Sequence, residues 1–176
     1  MKSLIKDKQG QVWVETVIYT LIGLSVIGIL LAVSTPKIND MKDRLRINEA
    51  VDILNQMDAK ISEVQSAPGN QRVYDLTINK GKVIINGTAG ADEIVWIIET
   101  NYKYSEPGRE FMVGDLKINT VGDGYYKVSL TRGYNVDLTV EGLDKSFEME
   151  SSTLPYQLII KSSTVGSNIQ VDISVS

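Results

Sequence analysis

Hydrophobic and polar residues follow three successive rhythms along this chain. Residues 16–36, TVIYTLIGLSVIGILLAVSTP, form a run of 21 residues without a charge. As a helix rising ~1.5 Å per residue it spans about 31 Å, the thickness of a bilayer's hydrocarbon layer. The run reads as a membrane-crossing helix rather than a buried core helix, because core helices seldom run so far without a polar face. Gly23 and Gly28 allow close helix contacts, and Pro36 either kinks the helix or begins a new one after Thr35. Over residues 37–66 the pattern turns amphipathic. Ile47, Leu54 and Ile61 recur every seven residues, Val51, Met57 and Val64 fill the same stripe, and Asp43, Arg46, Asn55, Asp58 and Lys60 surround it. Such a stripe needs cover, and the chain's own C-terminal domain can supply it. A continuous helix over residues 11–66 would have 56 residues and a length of about 84 Å. A domain of about 100 residues is much narrower, so roughly half of the helix is expected to project.

Ser66-Ala67-Pro68-Gly69-Asn70 stops the helix, since proline cannot extend the hydrogen-bond ladder and Gly-Asn favours a turn. Beyond it the period is two. Strands are expected over 72–79, 82–86, 94–104, 116–121, 125–131, 136–140, 146–150, 156–161 and 168–175, the first two joined as a hairpin through Lys80-Gly81. Turn signals recur at Gly122-Asp123-Gly124, Arg132-Gly133-Tyr134-Asn135 and Glu141-Gly142-Leu143-Asp144. That spacing predicts an antiparallel sandwich or a strongly twisted sheet. The fold class is therefore α+β: a long N-terminal hydrophobic-to-amphipathic helix followed by a β-rich head. The segments are 1–10, 11–36, 37–68 and a head over 69–176. No Gly-rich phosphate loop precedes a helix, which argues against a nucleotide-binding βαβ fold.

Composition narrows the chemistry. Eleven of the fourteen glycines, three of the four prolines and seven of the eight tyrosines follow Ser66, which supports a boundary near 66–70. The net charge is −4, and no Lys/Arg block of five or more occurs, so nucleic acid is not an expected partner. Cysteine and histidine are both absent. That removes thiol nucleophiles, imidazole bases, Ser-His and Cys-His dyads and the common zinc sites. No enzymatic activity, metal or cofactor is expected.

The first ten residues, MKSLIKDKQG, carry Lys2, Lys6 and Lys8 against Asp7. Their side chains sum to +2, which holds this end in the cytoplasm while the C-terminal domain is exported. No small-residue cleavage motif follows the apolar run, so any processing falls before it. Glu15 stands one residue ahead of the run, where an ionised carboxylate in lipid costs about 2.5–3.5 kcal/mol. Between Glu15 and Lys37 there is no cation, so a partner comes from the chain's own start or from another molecule; alternatively the carboxylate snorkels to the headgroups.

The string Lys8-Gln9-Gly10-Gln11-Val12-Trp13-Val14-Glu15, followed by the apolar run and its amphipathic extension, resembles the class III signal peptide of archaeal type IV pilins and related prepilin-like proteins. The resemblance is specific over residues 8–36 and architectural beyond. It implies that a prepilin peptidase cuts after Gly10, that Gln11 becomes the new N-terminus, and that Glu15 is the glutamate at the fifth mature position. It further implies a precursor spanning the membrane once with its C-terminal domain outside. The mature subunit would then join other copies of itself in a cell-surface filament used for attachment. The freed α-amine, with an ordinary pKa of ~7.7–8.0, would pair with Glu15 of a neighbouring subunit and set axial register. Losing the leader would take the net charge from −4 to −6.

Other signals are weaker. Asn86-Gly87-Thr88 matches the N-glycosylation acceptor triplet and equally suits a plain turn. Ala91-Asp92-Glu93, and Asp123 with Asp137, lack calcium-loop spacing, and Glu148 with Glu150 imitates a glycosidase pair without a marked cleft. Tyr102, Tyr104, Tyr125, Tyr126 and Tyr134 suit an adhesive aromatic patch or half-buried sheet positions. The alternative to a filament subunit is a singly anchored surface protein that keeps its leader and binds a ligand or envelope component through the β-rich domain.

Overall fold

The computed structural model describes residues 8–166 and 168–176, with side chains from Val12 onward. The chain forms two compact units, Met1–Met41 and Lys42–Ser176. One helix, α1 (Lys8–Gln65, 58 residues), contributes to both and carries Pro36 inside it. It ends at the expected stop: Gly69 adopts φ +93°, and the amide of Asn70 closes a turn on the carbonyl of Ala67 at 3.1 Å.

Ten strands follow among the described residues. They are β1 (Gln71–Leu76), β2 (Lys82–Asn86), β3 (Glu93–Thr100), β4 (Glu110–Val113), β5 (Leu116–Asp123), β6 (Tyr125–Gly133), β7 (Asp137–Val140), β8 (Ser146–Glu150), β9 (Tyr156–Val165) and β10 (Asn168–Val175). They build a four-stranded sheet, β1-β9-β10-β7, and a six-stranded sheet, β4-β5-β6-β3-β2-β8. The class is α+β, as the periodicity predicts. Pairing is antiparallel apart from β7 and β10, which run parallel with Leu138 opposite Val171. The chain passes through β8, in the other sheet, on its way from β7 to β9, so no hairpin fixes the direction of β7.

The expected β1–β2 hairpin does not form. β1 pairs with β9, whereas β2 pairs with β3 and β8, so the intervening residues carry the chain from one sheet to the other. The turn signal is genuine but serves a crossing. Gly81 has φ +84°, and a Cβ there would lie 2.1 Å from the carbonyl oxygen of Ile97, so only glycine lets the crossing pass so close to β3. The carbonyl of the preceding Lys80 accepts a 3.0 Å hydrogen bond from the indole of Trp96, which pins the crossing to the same strand. The tenth strand, β4, is short and at a sheet edge, and EFMV carries no alternation to reveal it.

One apolar core joins the helix to both sheets. Ile47, Leu54, Met57, Ile61 and Val64 of α1 are buried against Leu158, Ile160, Val171 and Ile173 of one sheet and Val83, Ile85, Trp96 and Leu130 of the other. Each fully buried side chain of this size contributes about 1.5–3 kcal/mol. The stripe at spacing seven therefore finds the cover it requires within the Lys42–Ser176 unit. Its far end is finished by a polar contact. The buried Ser162 hydroxyl donates to the carbonyl of Val64 at 2.6 Å, satisfying one of the last-turn carbonyls that a helix leaves without an internal partner.

Candidate functional site

The apolar segment of α1 contrasts with the amphipathic one. From Val12 to Met41 none of its residues is buried, and Trp13, Leu24 and Leu31 are 72%, 66% and 61% exposed. It is long and apolar enough to cross a membrane. Four of its hydroxyls are satisfied internally: Thr16 donates to the carbonyl of Val12 at 2.9 Å, Thr20 to Thr16 at 2.9 Å, Ser25 to Leu21 at 2.7 Å and Thr35 to Leu31 at 2.7 Å. These bonds let those four side chains sit in hydrocarbon without an unmet donor. A Cβ built at Gly23 or Gly28 meets nothing within 4 Å, so packing within this chain does not account for either glycine.

Gly10, Gln11 and Glu15 all lie in the opening turns of α1, while residues 1–7 of the expected leader 1–10, Lys2 and Lys6 among them, are outside the described residues. Glu15 is exposed and makes no salt bridge among the described residues. It follows Gln11 by four positions, so the two share one helix face about 6 Å apart along the axis. Gly10, Gln11 and Glu15, the residues expected at a cleavage and pairing site, thus lie within two turns of one helix.

Asn86 is elsewhere, at the end of β2 and half-buried. Its Oδ1 accepts from the Thr88 hydroxyl at 2.8 Å and the Thr88 amide at 3.3 Å, and the amide of Gly87 donates to the carbonyl of Lys145 at 3.1 Å. A Cβ on Gly87 would lie 2.4 Å from the carbonyl oxygen of Leu138, so the middle residue of this triplet is fixed by the meeting of β2 and β7.

The acidic residues mostly have structural work. Asp92 accepts from the amide of Leu138 at 2.9 Å, Asp137 from the side-chain amide of Gln170 at 2.7 Å, and Glu148 holds the Lys82 ammonium through both oxygens at 2.8 and 2.9 Å. Tyr74, Tyr102, Tyr104, Tyr134 and Tyr156 pack against the core, whereas Tyr125 is 57% exposed and donates to Glu99 at 3.0 Å. Among the described residues no group of three or more carboxylates is placed to hold a metal ion.

One cluster has no signal in the sequence. Arg132 of β6 donates to both oxygens of Asp58 on α1 at 3.0 and 3.2 Å, pairs with Asp115 at 2.9 Å, and stands 5.8 Å from the ring centre of Tyr134. Burial pushes the Tyr134 hydroxyl's pKa well up, and the Asp58 carboxylate adds to that. The cluster borders an open hollow of about 630 Å³ that also includes Glu93 and Lys117. Two carboxylates occupy the guanidinium, so it offers no vacant donor set to an anion, and its evident role is to tie α1 to β6. Residues 74 positions apart meet here, a separation at which local pattern carries no information. No protein-family model, curated protein or solved structure matches this chain.

Proposed function

We propose that this chain is a structural subunit of an extracellular type IV pilus-like filament. In this reading a prepilin peptidase cuts after Gly10, and the trimmed helix packs with identical helices of other copies to display the β-rich unit outside the cell for surface attachment. One observation carries the proposal: from Val12 to Met41 no residue is buried, while a Cβ at Gly23 or Gly28 would meet nothing within 4 Å. A helix of this kind takes its cover from outside itself, from lipid before assembly and from sister helices after it. The Lys8–Glu15 string supports the processing step, and Glu15, exposed beside Val14 and Val17, supports pairing with the amine freed at Gln11 of a neighbour. Asn86, at the C-terminal end of β2, is proposed as a glycan acceptor on the exported side.

Intact-mass analysis of material sheared from cells tests the processing: a subunit beginning at Gln11, free or cyclised to pyroglutamate, is expected. A chain that retains Met1 and stays singly in the membrane would overturn the reading in favour of a surface anchor. Glu15→Ala should insert normally yet fail to assemble; abundant filaments from that variant would refute the pairing.

A further inference from the structure

Between residues 37 and 46 no side chain of α1 is buried; the first is Ile47. The turn of residues 42–46 is therefore held by polar contacts at Asp43. The Asp43 side chain is 16% exposed and accepts from the Lys80 ammonium at 2.7 Å, with Arg46 of its own helix 3.5 Å away. Its other oxygen accepts from the Thr100 hydroxyl at 2.6 Å. Both outside partners are themselves fixed. Thr100 is 1% exposed and its hydroxyl oxygen accepts from the amide of Tyr102, while the backbone of Lys80 is pinned by Trp96. The next contacts along the helix, Glu49 with Asn79 at 2.8 Å and Asn48 with Tyr104 at 3.3 Å, are exposed and correspondingly weak.

We propose that Asp43, Lys80 and Thr100 form a latch on α1. Closed, it fastens the turn of residues 42–46 to the strands; open, that turn separates while the core from Ile47 onward stays packed. The physical basis is the absence of apolar burial before Ile47. Opening withdraws no buried apolar side chain of the helix, breaks a few polar bonds, and returns a carboxylate and an ammonium to water, whose solvation offsets much of the lost attraction. Such a segment opens at far lower cost than the unit unfolds. Burial on its own would raise the Asp43 pKa, but the bonds from Lys80 and Thr100 and the nearby charges of Lys80 and Arg46 outweigh it and hold it below the ordinary value. The latch is thus charged at neutral pH, and it sets how many turns of α1 are fastened.

Hydrogen exchange on the full chain in detergent micelles tests this, comparing the native sequence with Asp43→Asn and Thr100→Val. Amides of residues 46–50 bond to carbonyls of residues 42–46, so they report the turn. In Asp43→Asn they should exchange roughly tenfold faster, with those of residues 54–64 unchanged; Thr100→Val should give a smaller effect at the same amides. Unchanged exchange at 46–50 in both variants would overturn the latch. Uniform acceleration across 46–64 would overturn it too, since Asp43 would then be an ordinary stabilising contact of the whole unit.

Discussion

Truncating Ile61 distinguishes the two halves of α1 most directly. The side chain is fully buried among residues of the helix and both sheets, and Ile61→Ala removes its outer carbons from the centre of the core. The lost transfer free energy and the cavity left behind together cost ~3 kcal/mol, within the ~2–5 kcal/mol range for such truncations. For the unit Lys42–Ser176, about 135 residues at ~2.1 cal/mol/K each give an unfolding entropy of ~0.28 kcal/mol/K, so the midpoint should fall by about 10 °C. The matched control is Leu31→Ala, which truncates a residue 61% exposed in the other unit. It should shift the midpoint by no more than about 2 °C, as surface changes usually do. Fluorescence of the 2%-exposed Trp96 reports the transition in detergent-solubilised full chain, with Trp13→Phe as the common background. The reasoning fails if Ile61→Ala melts with its background, or if Leu31→Ala lowers the midpoint as much as Ile61→Ala.

Three further outcomes follow from the same contacts. Gly87→Ala should lower stability by about 1–3 kcal/mol, seen as a reduced urea midpoint, because its Cβ would press on backbone atoms of Leu138 and Thr139 rather than on a side chain able to move. The stability difference between the native sequence and Asp43→Asn should be constant above about pH 5. It should shrink as pH falls below the ordinary carboxyl value of 3.8, since a carboxyl whose folded pKa is lowered adds stability only while the unfolded group would also be ionised; a difference that grew toward acid would contradict this. A fragment beginning at Asn70 lacks Ile47, Leu54, Met57, Ile61 and Val64, and its near-ultraviolet circular dichroism should show no fixed tertiary packing, whereas one beginning at Lys42 should retain it.

Much of the fold is legible in the sequence because the relevant signals are local. The uncharged run, the seven-residue stripe and the stop at Pro68-Gly69 each lie within a few turns of chain, and the helix follows them to Gln65. Leu138 and Val140 of β7 and Val171 and Ile173 of β10 stand at alternate positions and are buried, although in β7 the intervening Thr139 is buried as well. Partner choice is a different kind of information. Nothing in residues 72–86 says that β1 should pair with β9 rather than β2, because both arrangements begin with the same turn; that Gly81 lies against the carbonyl of Ile97 is a contact across 16 positions that local pattern does not carry. The site divides in the same way. Gly10, Gln11, Glu15 and Asn86 are visible as motifs, whereas Asp43 appears only as one charge beside a stripe, and its partners Lys80 and Thr100 are separated from it by 37 and 57 positions.

Glu15 and Asp43 pose one problem, a carboxylate near apolar surroundings, with different resources. Asp43 draws Lys80, Thr100 and Arg46 from its own chain, and its charge is thereby accounted for. Glu15 has no salt bridge among the described residues, and the helix after it carries no cation before Lys37. If Gly10 is the cleavage point, the new amine at Gln11 sits about one turn away on the same helix and can neutralise Glu15 within one chain or between two. Pairing within one chain leaves the exposed Leu24 and Leu31 without cover. Pairing between chains neutralises the same two charges while laying two apolar helices side by side with an axial offset of ~6 Å, the rise across four residues. The second arrangement satisfies the charges and the apolar surface together, which is why the proposed assembly places the pair between subunits.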